Sequence, residues 1–167
     1  MPVLVALIVD GGEDALLVAA AVFAAGAVTD GLDGYLARRW DSSTRTGQWL
    51  DPLADKALVA APVVTLSALG RFPVWAAVLI IGREIGISVL RAWLGTRGRP
   101  MPASQAAKVK TATQLFAILL YILPLRPGAD AVKLAFLVLA VALTLWTGLR
   151  YAARARDWTR RGEGAPR

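Results

Sequence analysis

The stretch DALLVAAAVFAAGAVTDGLDGYLA, residues 14–37, decides the fold. Between Ala15 and Thr29 it carries no charge and shows no strand-like alternation. A run of about 20 such residues suits a helix that crosses a hydrocarbon core of roughly 30 Å. Four more stretches of this kind follow, at about 49–70, 73–94, 105–125 and 130–151. Gly and Pro mark the joints: Gly11-Gly12, Gly70 to Pro73, Gly95 to Pro102, and Pro124 to Gly128. There is no internal repeat. The expected fold class is all-α, a polytopic membrane helix bundle in one domain over 1–167, with a basic cytoplasmic tail over 152–167. The segment from Pro2 to Val9 is apolar but would rise only about 12 Å as a helix. It is expected to be the second half of a truncated first helix. A signal peptide is not expected, because no positive charge precedes the run.

Composition agrees. Apolar residues make up 56% of the 167 and the mean hydropathy is +0.53, above the 45–50% apolar usage of soluble domains. With no Cys and no His, thiol chemistry, disulfides and Cys- or His-ligated zinc are excluded. A general base must then be a carboxylate or something rarer. A metal must be held by oxygen, which points to Mg²⁺, Mn²⁺ or Ca²⁺. A net charge of +7 could serve nucleic acid in a soluble protein; in a membrane protein it points to anionic headgroups and substrates, so no nucleic-acid partner is expected. Alternating the spans puts Arg38, Arg39, Arg45, Arg97, Arg99 and the tail from Arg150 on one side, predicted to be cytoplasmic by the positive-inside bias. Arg71, Arg126, Lys133 and the acids Asp10, Glu13, Asp14 and Asp130 fall on the other.

Asp30, Asp33, Asp51 and Asp55 lie within or at the ends of the first two full spans. A carboxylate at bilayer depth costs about 2.5–3.5 kcal/mol, and few basic residues stand near these four. Asp30 and Asp33 are three apart, Asp51 and Asp55 four apart, so each pair shares a helix face. The short connection predicts antiparallel neighbours, with both pairs converging at the cytoplasmic ends. Such a set is an oxygen cage for one or two divalent ions. Gly34, Ala37 and Gly47 add little bulk, leaving room for a phosphate-bearing ligand. A solvated interfacial cluster would account for one such Asp, but four in two same-face pairs call for a cation.

The run Asp30-Gly-Leu-Asp33-Gly34-Tyr-Leu-Ala37-Arg38, then eight residues, then Gly47-Gln-Trp-Leu-Asp51-Pro-Leu-Ala-Asp55 resembles the motif of the CDP-alcohol phosphatidyltransferases, D-x2-D-G-x2-A-R-x8-G-x3-D-x3-D, at every fixed position. The resemblance implies a six-helix membrane enzyme that moves a phosphatidyl group from a CDP-linked lipid to an alcohol, releasing CMP. It implies that Asp30, Asp33, Asp51 and Asp55 hold two divalent ions, Mg²⁺ or Mn²⁺, and that Asp55 is the catalytic base. It also implies a CDP site built from Asp30, Gly34, Ala37, Arg38, Thr44 and Gly47. Phosphoryl transfer needs positioning and charge neutralisation, and an Arg at a helix end can hold a phosphate bidentately.

The acceptor must be read from later spans. Arg83 lies well inside its span and is a functional candidate for that reason. Adjacent on a helix, Arg83 and Glu84 are expected to face different ways, whereas Glu84, Ser88 and Arg91 share a stripe. Gly82 and Gly86 are expected to be a helix-packing pair. Lys108 and Lys110 point nearly opposite ways at the start of the next span, so one is expected to face headgroups. Arg83, Arg91, Lys108 and Lys110 are the candidate acceptor-binding residues, and so many cations imply an anionic acceptor rather than choline or serine. Gly-Arg83-Glu84-Ile85-x-Ile87-Ser88-x-Leu90-Arg91, Ala-Lys108-Val-Lys110-Thr111-x-x-Gln114 and Asp51-Pro-Leu-Ala-Asp55-Lys56 resemble the bacterial phosphatidylglycerophosphate synthases, which implies sn-glycerol 3-phosphate as acceptor and CDP-diacylglycerol as donor. Ala107 stands where that subgroup usually has Gly. Inositol phosphate or phosphatidylglycerol would be the alternative acceptors. A divalent-cation transporter is the alternative of a different class, but its path needs polar residues in both leaflets and here they gather on one side. The expected location is the inner cell membrane with the site facing the cytoplasm. The large apolar surface also permits a homodimer.

Overall fold

A computed structural model describes the backbone of residues 1–40, 47–97, 105–126 and 128–162, and side chains over 1–32, 56–97, 108–126 and 128–156. Among these residues there are six helices and no strand: α1 (Pro2–Asp10), α2 (Glu13–Trp40), α3 (Gly47–Ala68), α4 (Val74–Thr96), α5 (Gln105–Ile122) and α6 (Asp130–Gly162). The architecture is the all-α membrane helix bundle that the apolar runs require. At 1.5 Å per residue, α2 to α6 are about 27–50 Å long and α1 about 14 Å.

The helices stop where the sequence punctuates them. Gly11 takes φ +72° and its N–H returns to the Leu7 carbonyl, closing α1 with the left-handed residue that glycine adopts without strain. Gly70 does the same after α3 at φ +69°, and the N–H groups of Arg71 and Phe72 both reach the Leu66 carbonyl. Pro73 then opens α4 in extended conformation.

Leu4 and Ile8 of α1, Ala19, Ala20 and Phe23 of α2, Val63 and Leu66 of α3, Ala76 and Ile80 of α4, Ile118 and Ile122 of α5, and Leu137 of α6 form one core. Phe72 meets Tyr121 edge-on, ring centroids 4.8 Å apart. Helix α5 is central, packing on α2, α3 and α6, while α4 packs on α3 and α6. Small residues let neighbours approach: a methyl group at Gly26 of α2 would lie 3.3 Å from Leu58 Cδ1 of α3. Large apolar side chains also cover the outside, among them Val3, Val28, Val64, Val78, Val89 and Leu149. Such a surface suits lipid.

Three details depart from the sequence-based expectation. Among the described residues, only Glu13–Leu32 and Asp130–Arg156 are both long and apolar enough to cross a membrane by themselves. Three charges, Arg83, Glu84 and Arg91, interrupt α4, and the described apolar part of α3 is the shorter Lys56–Ala68. Second, α6 runs on from the expected span to Gly162, so the basic segment begins as the same helix. Its Tyr151 and Ala155, one turn apart, are buried on Leu94 of α4 rather than turned to lipid. Third, Gly82 and Gly86 are exposed and open, with nothing within 4 Å of a methyl group placed on either; they make no helix contact within the described chain.

Phe23 is 1% exposed and its neighbour Val22 is 41% exposed. Phe23→Ala should lower stability by about 3 kcal/mol through lost packing, while Val22→Ala should change little; thermal unfolding in detergent micelles measures both.

Candidate functional site

The polar side chains of the bundle converge on a cavity of about 210 Å³. Helix α2 contributes Asp30, α3 contributes Lys56, Leu58 and Val59, and α4 contributes Glu84, Ser88 and Arg91. Helix α5 completes the wall with Lys110, Thr111, Gln114 and Leu115. The expected stripe of Glu84, Ser88 and Arg91 therefore exists and faces this cavity. So does one of the four motif carboxylates, Asp30.

Lys110 and Lys108 are sorted by helical geometry. Lys110 is buried, lines the cavity and donates from Nζ to Glu84 Oε1. Lys108, two residues earlier, is exposed on the other side of α5. Removing an ammonium from water is costly unless a counter-ion meets it, and Glu84 is that counter-ion.

Arg83 is not among the residues lining this cavity. Its Nη2 donates to Thr147 Oγ1 of α6 at 2.9 Å, and its aliphatic stem lies over Gly148, where a methyl group would stand 3.4 Å from Arg83 Cγ. Its Nη1 also lies 3.5 Å from Glu84 Oε1. Expected to face away from each other, Arg83 and Glu84 are in fact paired. Both side chains are long enough to swing along the helix surface, and a buried guanidinium needs an anion. The outcome is a polar row through the bundle, Thr147–Arg83–Glu84–Lys110, that joins α6, α4 and α5. Thr144 Oγ1 extends it, donating to Gln114 Oε1 at 3.4 Å.

The sequence carries a signal for these partners. Thr144 and Thr147 are three apart in an otherwise apolar span and both are buried. Two hydroxyls on one face of such a span have to meet something polar. Lys56, Ser88, Thr111 and Gln114 likewise belong to the cavity wall without having been singled out as site residues.

Other residues of the aspartate motif are placed through their backbones. Asp33, Gly34, Ala37 and Arg38 are helical residues of α2, and Gly47, Asp51 and Asp55 of α3, two helices that pack on each other; their side chains lie outside the described residues. Thr44 lies outside them altogether. Among the described residues there is no cluster of three or more metal-ligating side chains, Asp30 being the one motif carboxylate whose side chain is described. Carboxylates offer only oxygen, the donor type that suits a hard divalent cation.

The chain is thus a membrane helix bundle with aspartates at spacings of three and four on α2 and α3, and with a polar cavity lined by Asp30, Lys56, Glu84, Arg91 and Lys110. Comparison with known proteins gives the class a name: the chain belongs to the CDP-alcohol phosphatidyltransferase family, whose model matches residues 1–146. It is an enzyme family, and its members generally use divalent metal ions. The chain is similar to a probable phosphatidylglycerophosphate synthase of Mycobacterium tuberculosis strain H37Rv, 42% identical over 154 residues that cover 91% of this chain and 73% of the relative. It is 40% identical over 144 residues to the CDP-diacylglycerol–glycerol-3-phosphate 3-phosphatidyltransferase of Escherichia coli K12, covering 83% of this chain and 78% of the relative. The protein of the same name from Shigella flexneri is also 40% identical over 144 residues.

Thr147→Val should lower stability by about 1–3 kcal/mol, because the buried Arg83 guanidinium loses an acceptor. Thr113, whose hydroxyl bonds to the Val109 carbonyl of its own helix and to no other helix among the described residues, should tolerate the same change; thermal unfolding in detergent compares the two.

Proposed function

We propose that this protein transfers the phosphatidyl group of CDP-diacylglycerol to sn-glycerol 3-phosphate, giving phosphatidylglycerophosphate and CMP in phospholipid biosynthesis. The observation that carries this assignment is the cavity that joins Asp30 to Lys56, Arg91 and Lys110. It sets a motif carboxylate beside enough positive charge for an anionic acceptor. The Escherichia coli relative is named for the same donor and acceptor.

Asp30, Asp33, Asp51 and Asp55 would hold Mg²⁺ or Mn²⁺, two ions in this reading. Bound there, the ions would neutralise the pyrophosphate and the departing CMP. Asp30 with Gly34, Ala37, Arg38, Thr44 and Gly47 forms the CDP site, Arg38 taking a phosphate through its planar fork. Asp55 accepts the proton of the acceptor hydroxyl. The freed oxygen attacks the lipid-side phosphorus, a P–O bond forms, and the P–O bond to CMP breaks. No covalent enzyme intermediate is needed.

Arg91 and Lys110 receive the acceptor's phosphate. An ammonium carries three donors, and Glu84 engages Lys110 through one oxygen, so binding does not require the pair to separate. Lys108, on the exposed side of α5, would contribute charge toward headgroups. Arg83 acts as a positioning residue, holding Glu84 and, through it, Lys110. Arg97 and Arg150 stack on Trp93 and Trp146, centroid distances 4.0 and 5.0 Å. Trp and Arg together suit a membrane interface, which supports placing this end of the bundle at the cytoplasmic face of the inner membrane.

CMP release by the detergent-purified chain, supplied with CDP-diacylglycerol and Mg²⁺ or Mn²⁺, tests the reaction. It should proceed with glycerol 3-phosphate and not with inositol 1-phosphate or phosphatidylglycerol, and EDTA should stop it. Asp55→Asn should keep the fold and reduce turnover about 10²–10⁴-fold, the range of a lost general base; full activity would remove the base role. Lys110→Ala should raise KM for glycerol 3-phosphate about tenfold or more, as expected for a charged hydrogen bond, and Lys108→Ala much less. Equal effects would argue against the assignment of Lys110.

A further inference from the structure

Gln114 has no part in the steps above, yet its position is specific. It lies one turn beyond Lys110 on the same face of α5, in the wall of the cavity, and is 1% exposed. Its Oε1 accepts the hydrogen of Thr144 Oγ1 across the α5–α6 contact. Thr144 is itself fully buried, and its hydroxyl meets the Oε1 end of the amide on the α6 side. The other end, Nε2, is buried with no hydrogen-bond partner among the described residues. Buried amide donors are rarely left without an acceptor, and Gln114 is one of the residues in the cavity wall.

The chemistry of the cavity indicates which acceptor it lacks. Lys56, Arg91 and Lys110 supply charge for a phosphate. A neutral amide beside them matches an uncharged oxygen better than it adds to that charge. Glycerol 3-phosphate has such an oxygen in its secondary hydroxyl, which neither reacts nor carries phosphate. We propose that the Gln114 amide donates to this secondary hydroxyl and is the residue that distinguishes a glycerol phosphate from a phosphorylated alcohol without it. Thr144 is the positioning residue that presents the amide nitrogen. Both roles rest on the reaction proposed above.

The test compares CMP release with glycerol 3-phosphate and with 3-hydroxypropyl phosphate, which keeps the primary hydroxyl and the phosphate and lacks only the secondary hydroxyl. The unaltered protein should favour glycerol 3-phosphate about tenfold in kcat/KM, the scale of a buried hydrogen bond to substrate. Gln114→Met keeps length and apolar bulk but has no donor. Its kcat/KM should fall mainly for glycerol 3-phosphate, bringing the two acceptors within about twofold. Thr144→Val, equal in shape and without the hydroxyl, should narrow the preference in the same direction and serves as the test if Gln114→Met does not fold. The proposal is overturned if Gln114→Met keeps the full preference, or if its rate falls equally with both acceptors, which would assign the amide to packing or to the phosphate. It is also overturned if Thr144→Val alone folds and keeps the preference, or if the unaltered protein uses both acceptors equally well. Silence of the unaltered protein with every acceptor would overturn the reaction, and this role with it.

Discussion

Glu84 stands between two cations, Lys110 from α5 and Arg83 from its own helix, and the arrangement of α4, α5 and α6 follows from that. Lys110 and Arg83 are largely withdrawn from water, and each is costly to place in an apolar bundle without a counter-charge. Arg83 needs more than one carboxylate oxygen can provide, and Thr147 of α6 supplies an acceptor at 2.9 Å. Three helices are thereby held in one rotational setting. Apolar packing alone specifies such settings weakly among membrane helices, because lipid is as apolar as the core.

That rotational setting places the cavity. With Glu84 turned toward α5, Ser88 and Arg91 follow along the same stripe, and Lys110, Thr111 and Gln114 face them from α5. Helices α2 and α3, which carry the aspartates, close the remaining side with Asp30 and Lys56. The central position of α5 makes this possible, since it packs on α2 and α3 as well as α6. Away from the cavity the bundle is ordinary: Leu, Ile, Val and Phe inside, and Val, Leu and Ile outside as well. Polar groups are concentrated around the cavity.

Much of this was legible in the chain. Apolar runs of about 20 residues located the long helices to within a few residues, except that α6 extends well past its expected end. The aspartate spacings placed the motif on α2 and α3. Elsewhere local rules met a competing demand. Adjacent residues on a helix diverge, yet Arg83 bends back to Glu84 because burial demands a counter-charge. Gly82 and Gly86 have the spacing of a packing pair but lie open, since α4 presents its other faces to α3 and α6. Ala155 falls in the expected basic tail, yet with Tyr151 it extends the α4–α6 contact.

The sequence by itself determined the class of fold and the family. Hydrophobic run length, the absence of Cys and His, and a set of carboxylates at helical spacing are properties of composition and local geometry, and they survive any packing arrangement. Which of Lys108 and Lys110 enters the cavity, where Arg83 turns, and that Gln114 leaves an amide nitrogen without a partner among the described residues were decided only by the tertiary structure. These depend on the rotation of each helix about its axis, and that rotation is set by contacts between residues such as Arg83 and Thr147, 64 positions apart. No local pattern in the chain encodes a contact of that separation.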